Sequence, residues 1–285
     1  MHSAPLRFVE GLPQPRRTLV MGVVNVTPDS FSDGGRYADT ERAVAHARQL
    51  VAQGADLVDV GGESTRPGAR RPAVDEELAR VVPVIEALAA DGVPVSVDTM
   101  RAEVAEAAVA AGAALVNDVS GGLADEAMFA TVARLDVPYV LMHWRAHSVE
   151  MQQHTTYADV VEDVVAELAE RLRAAARAGL THSIAIDPGI GFSKTTSQNW
   201  ELLRHLERFH DLGHPLLVAT SRKRFLGELL ADEAGDRAPL ERDAATTATT
   251  TLAAVAGAWC VRVHDVRSSA DAVRVAARFA GGPHD

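Results

Sequence analysis

One pattern constrains this chain more than any other. A short apolar run is followed by a longer stretch of helical period, and the alternation occurs eight times. The runs are Leu19–Val24, Leu57–Val60, Val93–Val97, Ala114–Val116, Pro138–Met142, Ile184–Ile186, Pro215–Ala219 and Cys260–Val263. They are often rich in Val and Ile and are mostly apolar at consecutive positions. A strand with one wet face alternates apolar and polar residues. A strand that is apolar throughout is buried on both faces, as in a parallel sheet covered by helices.

The intervening stretches read as those helices. The clearest, from about Tyr157 to Ala178, repeats Val160, Val164, Leu168 and Leu172 at four-residue spacing, with Val161 and Val165 beside them. Glu162, Asp163, Glu167, Glu170 and Arg171 supply its polar positions, and Gly179 follows as a C-terminal cap. Similar stretches cover Thr40–Gln53, Asp75–Ala90, Ala102–Ala111, Asp125–Arg134, Ser197–Phe209 and Ala270–Phe279. Gly54, Gly92, Gly112 and Gly213 stand between a helix and the next run, where the chain must turn.

Eight strand–helix units in 285 residues predict an α/β chain folded as a single (β/α)8 TIM barrel over residues 19–281. Residues 1–18 read as an N-terminal extension. The competing architecture is an open, doubly wound sheet of eight strands. One polar, irregular insert, Asp232–Arg242, lies between the seventh and eighth runs.

Composition removes several classes of function. Asp and Glu number 39 against 28 Lys and Arg, a net charge of −11, which argues against a general binder of nucleic acid or anionic membrane. Cys260 is the only cysteine, so there is no intrachain disulfide and no cysteine-rich zinc site. No apolar run reaches the roughly 18 residues a membrane span requires. The first residues lack the apolar centre of a signal peptide, and a cytoplasmic protein is expected. The sequence holds neither H-E-x-x-H nor G-x-S-x-G, which speaks against a zinc hydrolase or a serine hydrolase.

In parallel α/β folds, chemistry gathers at the carboxyl ends of the strands. The residues leaving the eight runs are Asn25, Glu63, Asp98, Asn117–Asp118, His143, Asp187, Ser221–Lys223, and Arg262 with His264. Any strand must end in something polar, so a single such residue means little; the complete ring means more. Asn25–Gly35 is long for a strand-to-helix loop and carries Asp29 and Asp33, which reads as a surface turn or a mobile lid. Gly61–Gly68 contains three glycines, two hydroxyls and Arg66, a composition able to hold an anion. Asp187, at a strand end before Pro188–Lys194, could grip a ring N–H and an amino group together, or close a local Asx turn. Arg262 and His264 leave the last run on one face. With Arg66 and Lys223 they form a positive site on an acidic protein, which favours a small anionic substrate.

In these segments the chain resembles the dihydropteroate synthase family, the pterin-condensing enzymes of folate synthesis. The likeness extends from about Leu19 to Phe279. It is carried by Met21–Gly35 and Asp59–Gly68, and by Ser96–Asp98, Val116–Asp118, Asp187–Phe192, Ser221–Lys223 and Arg262–His264 in the same order. The resemblance implies a (β/α)8 barrel. It also implies a Mg²⁺-assisted transfer that joins 6-hydroxymethyl-7,8-dihydropterin diphosphate to 4-aminobenzoate, giving 7,8-dihydropteroate and diphosphate.

Site roles follow from the same resemblance. Asp98, Asn117, Asp187, Lys223 and Arg262 would bind the pterin. Asn25, Thr65, Arg262 and His264 would take the diphosphate, with Asn25 also meeting Mg²⁺. Thr65, Arg66, Phe192 and Ser221 would form the aminobenzoate side. Asp33, Lys223, Arg262 and His264 would act in catalysis, Asp33 by stabilising a cationic intermediate. A homodimer and sensitivity to sulfonamides are further expectations. The alternatives are a pterin-binding paralogue without catalysis and a pterin-binding methyltransferase barrel.

Overall fold

A computed structural model describes residues 8–27, 35–63, 71–147 and 150–281. Eight parallel strands line its centre: β1 Leu19–Asn25, β2 Leu57–Gly61, β3 Val95–Asp98, β4 Leu115–Asp118, β5 Tyr139–Met142, β6 Ile184–Asp187, β7 Leu217–Val218 and β8 Cys260–Val263. Hydrogen bonding runs in the order β6-β5-β4-β3-β2-β1-β8-β7. The circle closes through a parallel bridge between Ile186 and Leu216, where Ile186 N–H donates to the Pro215 carbonyl at 2.8 Å. The barrel, rather than the open sheet, is therefore the architecture.

The seventh run was expected to be a strand over Pro215–Ala219, but only Leu217 and Val218 form a regular pair with β8. Pro215 has no N–H to donate. Leu216 sends its carbonyl to both Trp259 N–H and Cys260 N–H, at 2.8 and 3.3 Å.

The helices wrap the barrel: α1 Gly35–Ala52, α2 Val74–Ala90, α3 Ala102–Ala110, α4 Met128–Leu135, α5 Val160–Arg177, α6 Thr196–Arg204, α7 Leu206–His210, α8 Arg224–Leu229, α9 Asp243–Val255 and α10 Val266–Phe279. The single helix expected over Ser197–Phe209 is two. His205, at φ −118° and ψ 36°, leaves the helical region between α6 and α7. Thr195 caps α6 in a capping box with Gln198. The last helix starts four residues earlier than expected, because Asp265 accepts Ser268 N–H and caps it. Gly112 shows why a glycine ends α3: its φ is +109°, and a Cβ there would lie 2.5 Å from the Ala89 methyl on α2.

Alternation along each strand separates two cores. Val20, Val24, Val58, Val60, Val95, Val97, Val116, Tyr139, Leu141, Ile184, Ile186, Val218, Val261 and Val263 face the helices. Leu19, Met21, Leu57, Leu115, Val140, Ala185, Leu217 and Cys260 fill the barrel itself. Val9 and Leu12, from the segment before β1, are buried in that inner cluster with Trp259. Thr18 Oγ1 donates to the Ala258 carbonyl at 2.7 Å, and Arg17 forms a two-pronged ion pair with Asp56 at 2.7 and 2.9 Å. This segment thereby seals the end of the barrel where the strands begin.

The insert Asp232–Arg242 is mostly exposed and ends in a 3₁₀ turn, Pro239–Arg242. Arg242 turns inward and donates to the carbonyls of Arg237 and Arg222, its guanidinium lying where a Cβ at Gly227 would be. The Thr/Ala-rich stretch after it is α9. Thr246, Thr249, Thr250 and Ala253 are buried, while Leu252 is exposed. Among the described residues, no helix is long and apolar enough to cross a membrane.

Candidate active site

Side chains two residues apart on a strand share a face. The apolar layer inside the barrel therefore dictates what lies above it. Stepping up from Met21, Leu57, Leu115, Ala185 and Cys260 leads to Asn25, Asp59, Asn117, Asp187 and Arg262. Register places Asn25 beside Gly61, Gly61 beside Asp98, and Asp98 beside Asn117. The carboxyl end of the barrel is thus lined by amides, carboxylates and a guanidinium over an apolar plug.

Arg262 spans this lining. Its Nε donates to Asp59 Oδ2 at 2.5 Å and one terminal nitrogen donates to Asp98 Oδ2 at 2.7 Å. Asn117 Nδ2 donates to the same Asp59 oxygen at 2.9 Å. Asp59 is wholly buried, and its Oδ1 has no hydrogen-bond partner among the described residues. Burial pushes the Asp98 carboxyl up to about 7, with Arg262 opposing the shift and Asp59 adding to it.

Across the pocket stands the loop after β6. Asp187 Oδ1 accepts Gly189 N–H at 2.7 Å, which is the Asx turn of the sequence reading. Burial raises this carboxyl as well, against the pull of Lys223, the Gly189 N–H, Lys194 and Arg262. Lys223 leans over the loop, donating to the Ile190 carbonyl with its ammonium 4.9 Å from the centre of the Phe192 ring. Its methylenes lie where a Cβ at Gly191 would be. Burial lowers its ammonium to about 8, although Asp187 favours the charge. Phe192 packs with Met100, Val119, Met142 and Trp144, which form an apolar wall.

Ser221 and His264 form a third pair. Ser221 Oγ accepts the His264 backbone N–H at 3.1 Å and lies 2.9 Å from His264 Nδ1. The two residues were expected on different sides of the site, and the structure joins them. The cations flanking Lys223 turn elsewhere: Arg222 pairs with Asp243 at 2.7 Å and exposed Arg224 with Glu228 at 2.7 Å. Asp118 faces the helices, where it accepts hydrogen bonds from Tyr139 Oη, Ser120 and Gly122. Glu63 is held by Arg71 at 3.2 Å and Arg101 at 3.7 Å, so it anchors the start of its loop. Asp33, Thr65 and Arg66 lie outside the described residues.

Three buried groups received no role from sequence. Asp59 sits within an apolar run, and only the inward step of two residues from Leu57 marks it. Lys194 is buried among backbone carbonyls, and nothing in its neighbours along the chain predicts that. Glu77, buried on α2, accepts from Thr99 Oγ1 at 2.6 Å and pairs with Arg101. Its place among α2's buried positions was the available signal.

As for a metal, the described residues contain no cluster of three His, Cys, Asp or Glu side chains able to cage one. Asn25, at the end of β1, offers an amide oxygen. That donor set suits Mg²⁺ carried mainly by phosphate oxygens and water, since this ion commonly takes only one or two protein ligands.

Comparison with known proteins agrees with this geometry. The family of pterin-binding enzymes matches residues 21–264. A dihydropteroate synthase of Mycobacterium leprae is 54% identical over 259 residues, covering 90% of this chain and 91% of that protein. The solved structure of Xanthomonas albilineans dihydropteroate synthase with 4-aminobenzoic acid superposes with a TM-score of 0.86 at 49% identity, covering 94% of each chain. That of the Yersinia pestis enzyme in complex with a sulfonamide drug gives 0.89 at 38% identity, covering 97% of this chain and 99% of that one. A family match over residues 21–264 and 54% identity across 90% of the chain place it in the pterin-binding enzyme family, among the dihydropteroate synthases.

Proposed function

We propose that the inward-facing ring performs the condensation of this family. Dihydropterin diphosphate loses diphosphate, and the amine of 4-aminobenzoate takes its place, giving 7,8-dihydropteroate. The observation that carries this reading is the set of buried Asp98, Asn117 and Asp187, with Lys223 and Arg262, gathered at the carboxyl end of the barrel.

Asp187 and Asp98 would accept hydrogen bonds from ring N–H and amino groups, and Asn117 would complete that edge. Lys223 would meet the pterin carbonyl and a ring nitrogen. Arg262 and His264 would take up negative charge as the diphosphate leaves, and Arg262 would also cover the pterin face. Asn25 would hold Mg²⁺ together with the diphosphate, and the bound ion neutralises charge on the leaving group. The carbon left behind is conjugated with an electron-rich ring, so a neutral aromatic amine suffices as nucleophile and no strong general base is needed. Phe192 and Ser221, with Thr65 and Arg66, would shape the aminobenzoate side, so that positioning supplies much of the remaining acceleration. Asp33 would stabilise the cationic intermediate. A cytoplasmic homodimer inhibited by sulfonamides belongs to the same reading.

The test is diphosphate release from dihydropterin diphosphate with Mg²⁺, with and without 4-aminobenzoate. Release coupled to dihydropteroate formation is expected. Tight pterin binding without release would mean a binding protein rather than a synthase.

A further inference from the structure

Lys194 ends the loop that follows β6, yet its side chain lies inside the protein, with the residue only 3% exposed. Three acceptors surround Nζ: the carbonyls of Gly189 and Phe192 and the Nδ1 of His143, each at 3.0 Å. An ammonium carries three N–H donors, so this cage satisfies the charged form in full. His143 is arranged to receive it. Burial and the adjoining ammonium lower the imidazole to about 4, which leaves a neutral ring. Its Nδ1 can then accept from Lys194 while Nε2–H donates to Glu167 at 2.8 Å. Glu167 is half-buried, and burial alone would raise it. Hydrogen bonds from His143 and Arg145 outweigh that and hold it down at about 2.

The two carbonyls bound by Lys194 belong to the loop that carries Asp187 and Phe192. Gly189 links them: its N–H holds Asp187 Oδ1 and its carbonyl receives Lys194. Lys194, Lys223 and Arg262 are the cations that favour the Asp187 carboxylate. In the reaction above, Lys223 and Arg262 engage the substrate. Lys194 is enclosed by its three acceptors and stays where it is.

We propose that Lys194 is a positioning residue for the condensation. Its ammonium sets the Asp187–Phe192 loop through two carbonyls and supplies a fixed positive charge behind Asp187. The proposal rests on the pterin-binding reading of the pocket. The titratable and charged groups facing Lys194 are His143 and Arg145 beyond β5, Glu167 on α5, Asp187 at the end of β6 and Lys223 beyond β7. Burial lowers Lys194 to about 7, although Asp187 favours the charge. Pterin affinity should therefore decline with rising pH in two steps, first at Lys194 and then at Lys223.

The experiment is calorimetric titration of a pterin lacking the diphosphate across pH, with thermal melts to confirm folding. Lys194→Gln keeps two donors for the carbonyls and drops the charge; Lys194→Met drops both. For Lys194→Gln we expect about fivefold weaker binding at pH 7, approaching about tenfold a unit lower where Lys194 is charged, as one pKa unit of linkage requires, and loss of the first alkaline step. Lys194→Met should bind more weakly still. If Lys194→Gln keeps wild-type affinity and both alkaline steps, the proposal is overturned. If the wild type binds no pterin, the underlying reading fails instead. Should neither variant fold, the Lys194 titration followed by NMR in selectively labelled wild type reads the same coupling. Pterin should raise its midpoint by about one unit by reciprocity, and an unchanged midpoint overturns the proposal.

Discussion

Asp59 holds Arg262 with the same oxygen that holds Asn117: Oδ2 accepts Arg262 Nε at 2.5 Å and Asn117 Nδ2 at 2.9 Å. One buried carboxylate on β2 therefore orients a group from β8 and another from β4. With its amide nitrogen on Asp59, Asn117 turns its carbonyl oxygen away from that carboxylate. Arg262 is restrained through Nε while its Nη2 donates to Asp98 Oδ2.

Asp59→Asn should weaken both restraints. Breaking a buried, hydrogen-bonded charge pair costs about 2–5 kcal/mol, and at the lower end kcat/KM for dihydropterin diphosphate falls about 30-fold. The KM for aminobenzoate should hardly move. Steady-state kinetics with each substrate varied would show this, and an unchanged kcat/KM would remove Asp59 from the account.

The Asp98 carboxyl, pushed up to about 7 by burial, sets a second expectation. The carboxylate is the stronger acceptor for a ring N–H, because its hydrogen bonds are charge-assisted and protonation turns one of its oxygens into a donor. Pterin binding should then release protons below about pH 7, and affinity should climb with pH on that acid side before the alkaline decline set by Lys194 and Lys223 begins. Calorimetry in two buffers of different ionisation enthalpy measures the released protons. Asp98→Asn should reduce the release and weaken binding.

Ser221 and His264 allow their two expected roles to be separated. Ser221→Ala removes a hydroxyl that accepts His264 N–H and meets His264 Nδ1. A lost hydrogen bond of this kind costs roughly 1–2 kcal/mol, or about 5- to 30-fold. If Ser221 acts through His264, the loss falls on dihydropterin diphosphate. If it lines the aminobenzoate side, the KM for aminobenzoate rises instead.

Leu12 tests the closed end of the barrel. It is nearly fully buried beside Val9 and Trp259. Leu12→Ala should cost about 2–5 kcal/mol in chemical denaturation, as large-to-small core substitutions do. The pocket lies at the opposite end, so kcat/KM at moderate temperature should stay near wild type. A fall in activity without a fall in stability would contradict this separation.

The sequence made the barrel legible because its strands are apolar on both faces and its turns fall on glycines such as Gly54 and Gly112. It made much of the rim legible because Asn25, Asp98, Asn117, Asp187 and Arg262 break those runs or end them. What it hid depended on direction and distance. Asp118 follows Asn117 in the chain, but the pleat sends it to the helices. Asp59 lies within a run, so no boundary marked it. Arg222 and Lys223 are adjacent, but Arg222 sits at φ +59° and pairs with Asp243, and only Lys223 reaches the pocket. Lys194 reads as a loop lysine until the fold brings His143 and two carbonyls around it.

The short β7 has a meaning beyond topology. The barrel closes between β6 and β7 on little more than the Ile186–Leu216 bridge. Asp187 stands on one side of that join and Lys223 follows from the other. A heterocycle held by both would act as a rivet across the least-stitched seam of the barrel. Amide exchange at Ile186 should slow when pterin is present. In this enzyme the substrate would then finish the wall it reacts against.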